Sequence, residues 1–160
     1  MPRTATIETP VLTLLPLRAE HADEMAVVLS DPRLHTFTGG APLTAQELRA
    51  RYERLLAGPP SWCNWVIWSR EENRLVGYVQ ATIDDETAEI AWVIGTPWQG
   101  RGLATASAKA LVAWLIKQGI GTIIAHIHPD HGASAAVAAS AGLHPTDQSH
   151  DGEIRWERTA

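Results

Sequence analysis

Between Trp65 and Ile94 the chain carries three strand-like segments joined by turns too short for anything but antiparallel pairing. Trp65-Val66-Ile67-Trp68 is one segment, and Glu71-Glu72-Asn73-Arg74 turns it. Leu75 to Ile83 is the second, and Asp84-Asp85-Glu86 leads into a third from Ala88 to Ile94. A meander in mid-chain commits the molecule to a sheet, and the remaining segments must cover it.

Those segments alternate in period. Val11 to Leu15, bounded by Pro10 and Pro16, predicts a first strand. Ala22, Met25, Ala26 and Leu29 recur at helical spacing until Asp31-Pro32. Thr44-Ala45-Gln46-Glu47 has the form of a capping box, and Leu48, Tyr52, Leu55 and Leu56 give the helix behind it an apolar face. Gly58-Pro59-Pro60 stops that helix. Past the meander, Gly95 to Gly102 is a loop, and a long helix carries Ala104, Ala108, Leu111, Val112 and Leu115 on one face. Thr122 to Ile127 predicts a strand and Ala133 to Ala141 a small-residue helix, closed by Gly142. Two weaker strand candidates follow, near Leu143 and from Ile154 to Arg158. The expected class is α+β (mixed α/β): a central mixed sheet of six to seven strands flanked by four helices, in a single domain over residues 1–160.

Composition narrows the function. The chain has 160 residues, 45% hydrophobic and 19% charged, which suits one folded core. A net charge of −5 argues against nucleic acid, whose binding needs a basic face to displace counterions. No apolar run approaches the roughly 20 residues of a membrane span, and the N-terminal residues lack an apolar secretory stretch, so a cytoplasmic protein is expected. The lone Cys63 excludes an intrachain disulfide and a multi-cysteine zinc site. With no His or acid adjacent in sequence, it reads as a buried structural thiol rather than a nucleophile. Trp62, Trp65, Trp68 and Trp98 read as core or dimer contacts before they read as pocket walls.

The chemistry is concentrated in Ile94-Gly95-Thr96-Pro97-Trp98-Gln99-Gly100-Arg101-Gly102-Leu103-Ala104, where a strand ends, a glycine-rich loop follows and a helix begins. A helix start presents unpaired N–H groups and a partial positive charge, and glycines permit close approach, so the place suits a phosphate or diphosphate. It lacks the Gly-Lys-Ser/Thr of a P-loop and the three-glycine spacing of a dinucleotide fingerprint. Gln99-x-x-Gly102-x-Ala104 matches the (Gln/Arg)-x-x-Gly-x-(Gly/Ala) signature of the GCN5-related N-acetyltransferases, and the order of elements resembles theirs over nearly the whole chain. Thr9 to Arg18 and Ala88 to Ile94 resemble the branch that acetylates ribosomal-protein N-termini.

The resemblance implies a mostly antiparallel sheet, splayed between its fourth and fifth strands by a bulge, with acetyl-CoA as donor and no metal. The backbone of Gln99, Gly100, Arg101, Gly102, Leu103 and Ala104 would hold the diphosphate, with Arg101 adding charge. The pantetheine arm would pair with Trp92, Val93 and Ile94, and an amide there, of Val93 or Ile94, would face the developing oxyanion. A neutral amine must attack, although a lysine-like amine has a pKa of about 10.4, so a base is needed. Glu89, ten positions before Gln99, is the candidate. His131 stands where many relatives have an asparagine contacting the arm, and Ser134 matches a small polar residue at that helix start. Ala138 stands where many have a tyrosine that protonates the leaving thiolate.

Two other readings follow from these departures. One is a non-catalytic acyl-CoA sensor of the same fold. The other is a histidine-bound metal hydrolase, since His126, His128 and His131 number enough for zinc, although no acidic second shell is evident. As an enzyme the chain would take a small-molecule or peptide amine; its net charge mildly suits a cationic acceptor. Relatives often form homodimers, and the sequence leaves the oligomeric state open.

Overall fold

The computed structural model describes residues 4–159. Its elements run β1 (Ile7–Glu8), β2 (Leu12–Pro16), α1 (Ala22–Val28), α2 (Ala45–Leu56), β3 (Trp62–Ser69), β4 (Arg74–Asp84), β5 (Thr87–Ile94), α3 (Leu103–Lys117), β6 (Thr122–Ile127), α4 (Gly132–Ser140), β7 (His144–His150) and β8 (Glu153–Thr159). The expected meander is β3-β4-β5. Its turns close on Asn73 at φ 53° and Asp85 at φ 58°, two residue types that tolerate the left-handed region.

All eight strands form one sheet in the order β1-β2-β3-β4-β5-β6-β8-β7. Every neighbour pair is antiparallel except β5 and β6, which run parallel. The count exceeds the expected six to seven. The additional strand is β1, whose two residues pair with Thr13 and Leu14 and are too few to leave a periodic signal. Both weak candidates in the tail are real strands, turned by Asp151 at φ 51° and Gly152 at φ 81°.

Helices cover both faces. On one side Trp65 is fully buried, its ring edge-on to Trp114 of α3 at 5.2 Å. Its indole N–H donates to the Ala5 carbonyl at 2.7 Å, which satisfies the one polar group that so bulky a core residue brings. Ala108, Leu111 and Leu115 of α3 are fully buried as their spacing predicts. The alternate residues of β3 and β4, Asn64, Tyr78 and Gln80, face the other way and share a cavity with α2. The capping box of α2 closes both ways: Glu47 N–H donates to Thr44 Oγ1 at 3.1 Å, and Thr44 N–H to Glu47 Oε1 at 2.9 Å.

Candidate functional site

The sheet parts at one place. β5 and β6 are in register only at Thr87–Thr122, Ala88–Ile123 and Glu89–Ile124. Beyond Glu89, β5 keeps β4 alone as a partner, and beyond Ile124, β6 keeps β8 alone. The expected bulge is not the cause. β4 and β5 stay in unbroken register from Asp84–Thr87 to Gly77–Ile94, so β5 leaves β6 as an intact strand. The register shift in this region lies in the neighbouring β3–β4 ladder, where Val76 of β4 is skipped between Ile67 and Trp68 of β3.

The ladder shows which backbone groups line the gap. Gly95 N–H donates to the Val76 carbonyl at 2.8 Å. Antiparallel hydrogen bonding alternates, so odd-numbered residues of β5 spend their amides and carbonyls on β4, and even-numbered ones turn away. Val93 therefore belongs to Tyr78 of β4, and its expected role at the gap is corrected. Trp92 and the N–H of Ile94 face the gap; the Ile94 carbonyl accepts from the Gln99 side-chain amide at 2.9 Å.

At the mouth lies the glycine loop. Gly100 and Gly102 both have φ 78°, a conformation that β-carbon-bearing residues rarely adopt. A β-carbon at either would meet nothing within 4 Å, so the space over the loop is open. The amides of Gly100, Arg101 and Gly102 have no acceptor among the described residues. Those of Leu103, Ala104 and Thr105 are the unpaired donors of the first turn of α3. Gly102 caps that helix without a side-chain bond, and its first turn holds no acid to neutralise it. This donor set fits a diphosphate. The main-chain amide of Gln99, expected in the cradle, instead donates to the Thr96 carbonyl at 3.3 Å. Gln99 braces the loop onto β5, as above, and the Arg101 guanidinium is paired with the Glu72 carboxylate of the β3–β4 turn.

Where the strands part, Glu89 Oε2 lies 3.0 Å from His126 Nδ1. Glu89 is half exposed, with 51% of its side chain open to solvent, so a proton has an exit. The His150 ring sits 5.7 Å from that of His126, and Arg155, in register with His126, is held by Glu157 at 2.7 Å. The sequence singled out Glu89 and missed its partner, because 37 positions separate the two.

The three histidines weighed as metal ligands do not converge. His126 serves Glu89, whereas His128 and His131 pack against Phe37 at 5.0 and 4.4 Å. Among the described residues no group of His, Cys, Asp and Glu could hold a metal ion. His131 Nε2 lies 3.2 Å from Ser134 Oγ at the start of α4, and burial, then the neighbouring His128, hold its pKa below the ordinary value. Ala138 is fully buried. Burial pushes the Cys63 thiol up, which leaves it unreactive. Trp98 is core, with the Arg74 guanidinium 4.5 Å above its ring, while Trp62 is exposed.

A cavity of about 490 Å³ opens on the same face as Glu89, beneath α2 and residues 38–41. Its floor is Asn64, Tyr78 and Gln80; the last two are in register with Val93 and Ala91 of β5. The next residue along that face of β5 is Glu89, about 7 Å further. The sequence did not flag this floor, although two polar side chains inside apolar strands were a signal for it. Among the described residues its lining holds Arg51 and His35 and no carboxylate.

A family model described as an acetyltransferase (GNAT) domain matches residues 11–144. A sequence comparison with curated proteins finds no match. Among solved structures, a GNAT-family acetyltransferase from Bacillus anthracis superposes with a TM-score of 0.82 at 18% identity, covering 97% of this chain and 98% of that one. A ribosomal L7/L12 alpha-N-protein acetyltransferase in complex with coenzyme A gives 0.82 at 19%, with the same coverage. The ribosomal-protein-S5-alanine acetyltransferase from Vibrio fischeri gives 0.77 at 17%, covering 97% and 96%. At such identities the superpositions establish a common fold.

Proposed function

The chain belongs to the GNAT acetyltransferase family, and from that premise we propose that it transfers the acetyl group of acetyl-CoA to a primary amine at the parting of β5 and β6. The observation that carries the reading is the gap beyond Glu89 with the unpartnered amides of residues 100–104 at its mouth. The thioester supplies an activated acyl carbon. The loop amides and the first turn of α3 hold the diphosphate, and Trp92 offers a free amide and carbonyl to the amides of the arm. With Trp92 given to the arm, the N–H of Ile94 donates to the charge that develops on the thioester oxygen. Glu89, oriented by His126, takes the proton that the amine loses as its nitrogen bonds the acyl carbon and the carbon–sulfur bond breaks. Ala138 has no proton to give the departing sulfur. Ser134, one turn earlier on the same face of α4 and bonded to His131, is the donor this reading puts in its place.

Binding and turnover test this together. Acetyl-CoA at about a hundred times its Kd should stabilise the fold by about 2.7 kcal/mol, a rise of about 5–10 °C in Tm. Gly102→Val should lose that shift, because valine is strained at φ 78° and its branches occupy the open space over the amides. An unshifted wild type that releases no thiol with any amine would refute the reading; a shift without turnover would turn it into the sensor.

A further inference from the structure

The cavity beside Glu89 carries a charge pattern that selects among amines. Arg51 projects from α2 into its lining, and neither an ion pair nor a hydrogen bond engages its guanidinium among the described residues. Its neighbour Arg49 is paired with Glu53 on the same helix, and Arg54 lies outside the cavity lining, so Arg51 is the guanidinium that α2 brings to this cavity. The Tyr52 and Tyr78 hydroxyls lie within its electrostatic reach, since its charge offsets part of the rise that burial imposes on both. The rest of the floor, Asn64 and Gln80, is neutral and offers both donors and acceptors. The walls contributed by Leu17, Leu48 and Leu55 are apolar.

Resting on the acetyltransferase reading above, we propose that the acceptor is an amine bearing a carboxylate on an apolar body, and that Arg51 is the residue that selects it. A guanidinium with its planar fork free binds a carboxylate by two parallel hydrogen bonds. The amine of such a ligand, anchored at α2, is directed across Tyr78 and Gln80 toward Ala91 and Glu89 of β5. A polycation would instead meet Arg51 with no acid in the lining to offset the repulsion. The chain's net charge of −5 does not reverse this: a direct contact in the cavity outweighs a screened field from distant surface acids. Arg51 is itself exposed, so its selection should be about ten-fold rather than thousands-fold. The carboxylate can come from a free apolar amino acid or from an acidic side chain near a peptide N-terminus, and the two are separable by experiment.

Thiol release from acetyl-CoA should be followed with phenylalanine, phenylalaninamide and phenethylamine. Peptides with aspartate or asparagine as second residue, spermidine and an aminoglycoside complete the panel. Within one arm, free amino acid or acidic peptide, the carboxylate-bearing member should exceed its neutral counterpart about ten-fold in kcat/KM. Arg51→Gln should erase that advantage through KM, with kcat little changed, and Arg51→Lys should restore part of it. The proposal is overturned if spermidine or the aminoglycoside is the best acceptor, or if the advantage survives in Arg51→Gln. It is equally overturned if no panel member is acetylated while acetyl-CoA still raises Tm, an outcome that leaves cofactor binding intact; only loss of the Tm shift as well would reach the acetyltransferase reading itself.

Discussion

Glu89 owes its candidacy to two neighbours of different kinds: the His126 imidazole 3.0 Å away and the end of the β5–β6 ladder immediately beyond it. The imidazole fixes where the carboxylate points, and the gap gives it something to act on. Glu89→Gln keeps the shape and removes the proposed base. Turnover should fall by about 10²–10⁴-fold, with acetyl-CoA affinity within a few-fold of wild type, because the proposed cradle lies beyond the far end of β5. Steady-state kinetics over pH, paired with a binding titration, checks it; unchanged kcat across that range would remove Glu89 as the base. At the same scale Arg101 is a lesson in competition. Its charge suits a phosphate, but Glu72 in the β3–β4 turn claims it, so the proposed cradle is left to main-chain amides.

At the scale of elements, β5 is the pivot. It runs along β4 in unbroken register and parts from β6, and at Gly77 it comes too near β4 for a side chain. A β-carbon there would run into the Val93 carbonyl and the Ile94 Cα, both backbone and unable to step aside. Gly77→Ala should therefore cost stability, about 1–3 kcal/mol by analogy with overpacked cores. It should also weaken acetyl-CoA binding, because the strand it displaces carries Trp92 and Ile94. Urea unfolding and the Tm shift with acetyl-CoA read the two effects, and a variant that loses stability without losing affinity would show that the gap does not depend on this register. The α3 loop works by what it omits: no acid and no capping side chain compete for its amides.

Over the whole molecule, two histidines bias stability toward neutral pH. Burial is the largest cause that lowers the pKa of His21 and of His131. The unfolded chain, with ordinary imidazoles near 6.5, then binds more protons than the folded one below that value. Their contribution is complete above about pH 6.5 and is lost as pH falls through the lowered folded values. The urea midpoint should drop between pH 7 and pH 5, and His131→Asn should flatten that slope; an unaltered slope would mean that other groups set it. Much of this molecule was legible in order along the chain. The meander, the capping box, the glycine loop and Glu89 were all visible, because each is written in residues a few positions apart. The sequence by itself thus determined the longer elements, the family and the glycine loop that opens α3. Tertiary structure alone decided that His126 meets Glu89, that Glu72 takes Arg101, that Val93 pairs with β4, and that Arg51 lines one cavity with Asn64 and Gln80. These depend on strand register and on which helix lies over which face, and both are set by the packing of the whole sheet, which no local pattern encodes.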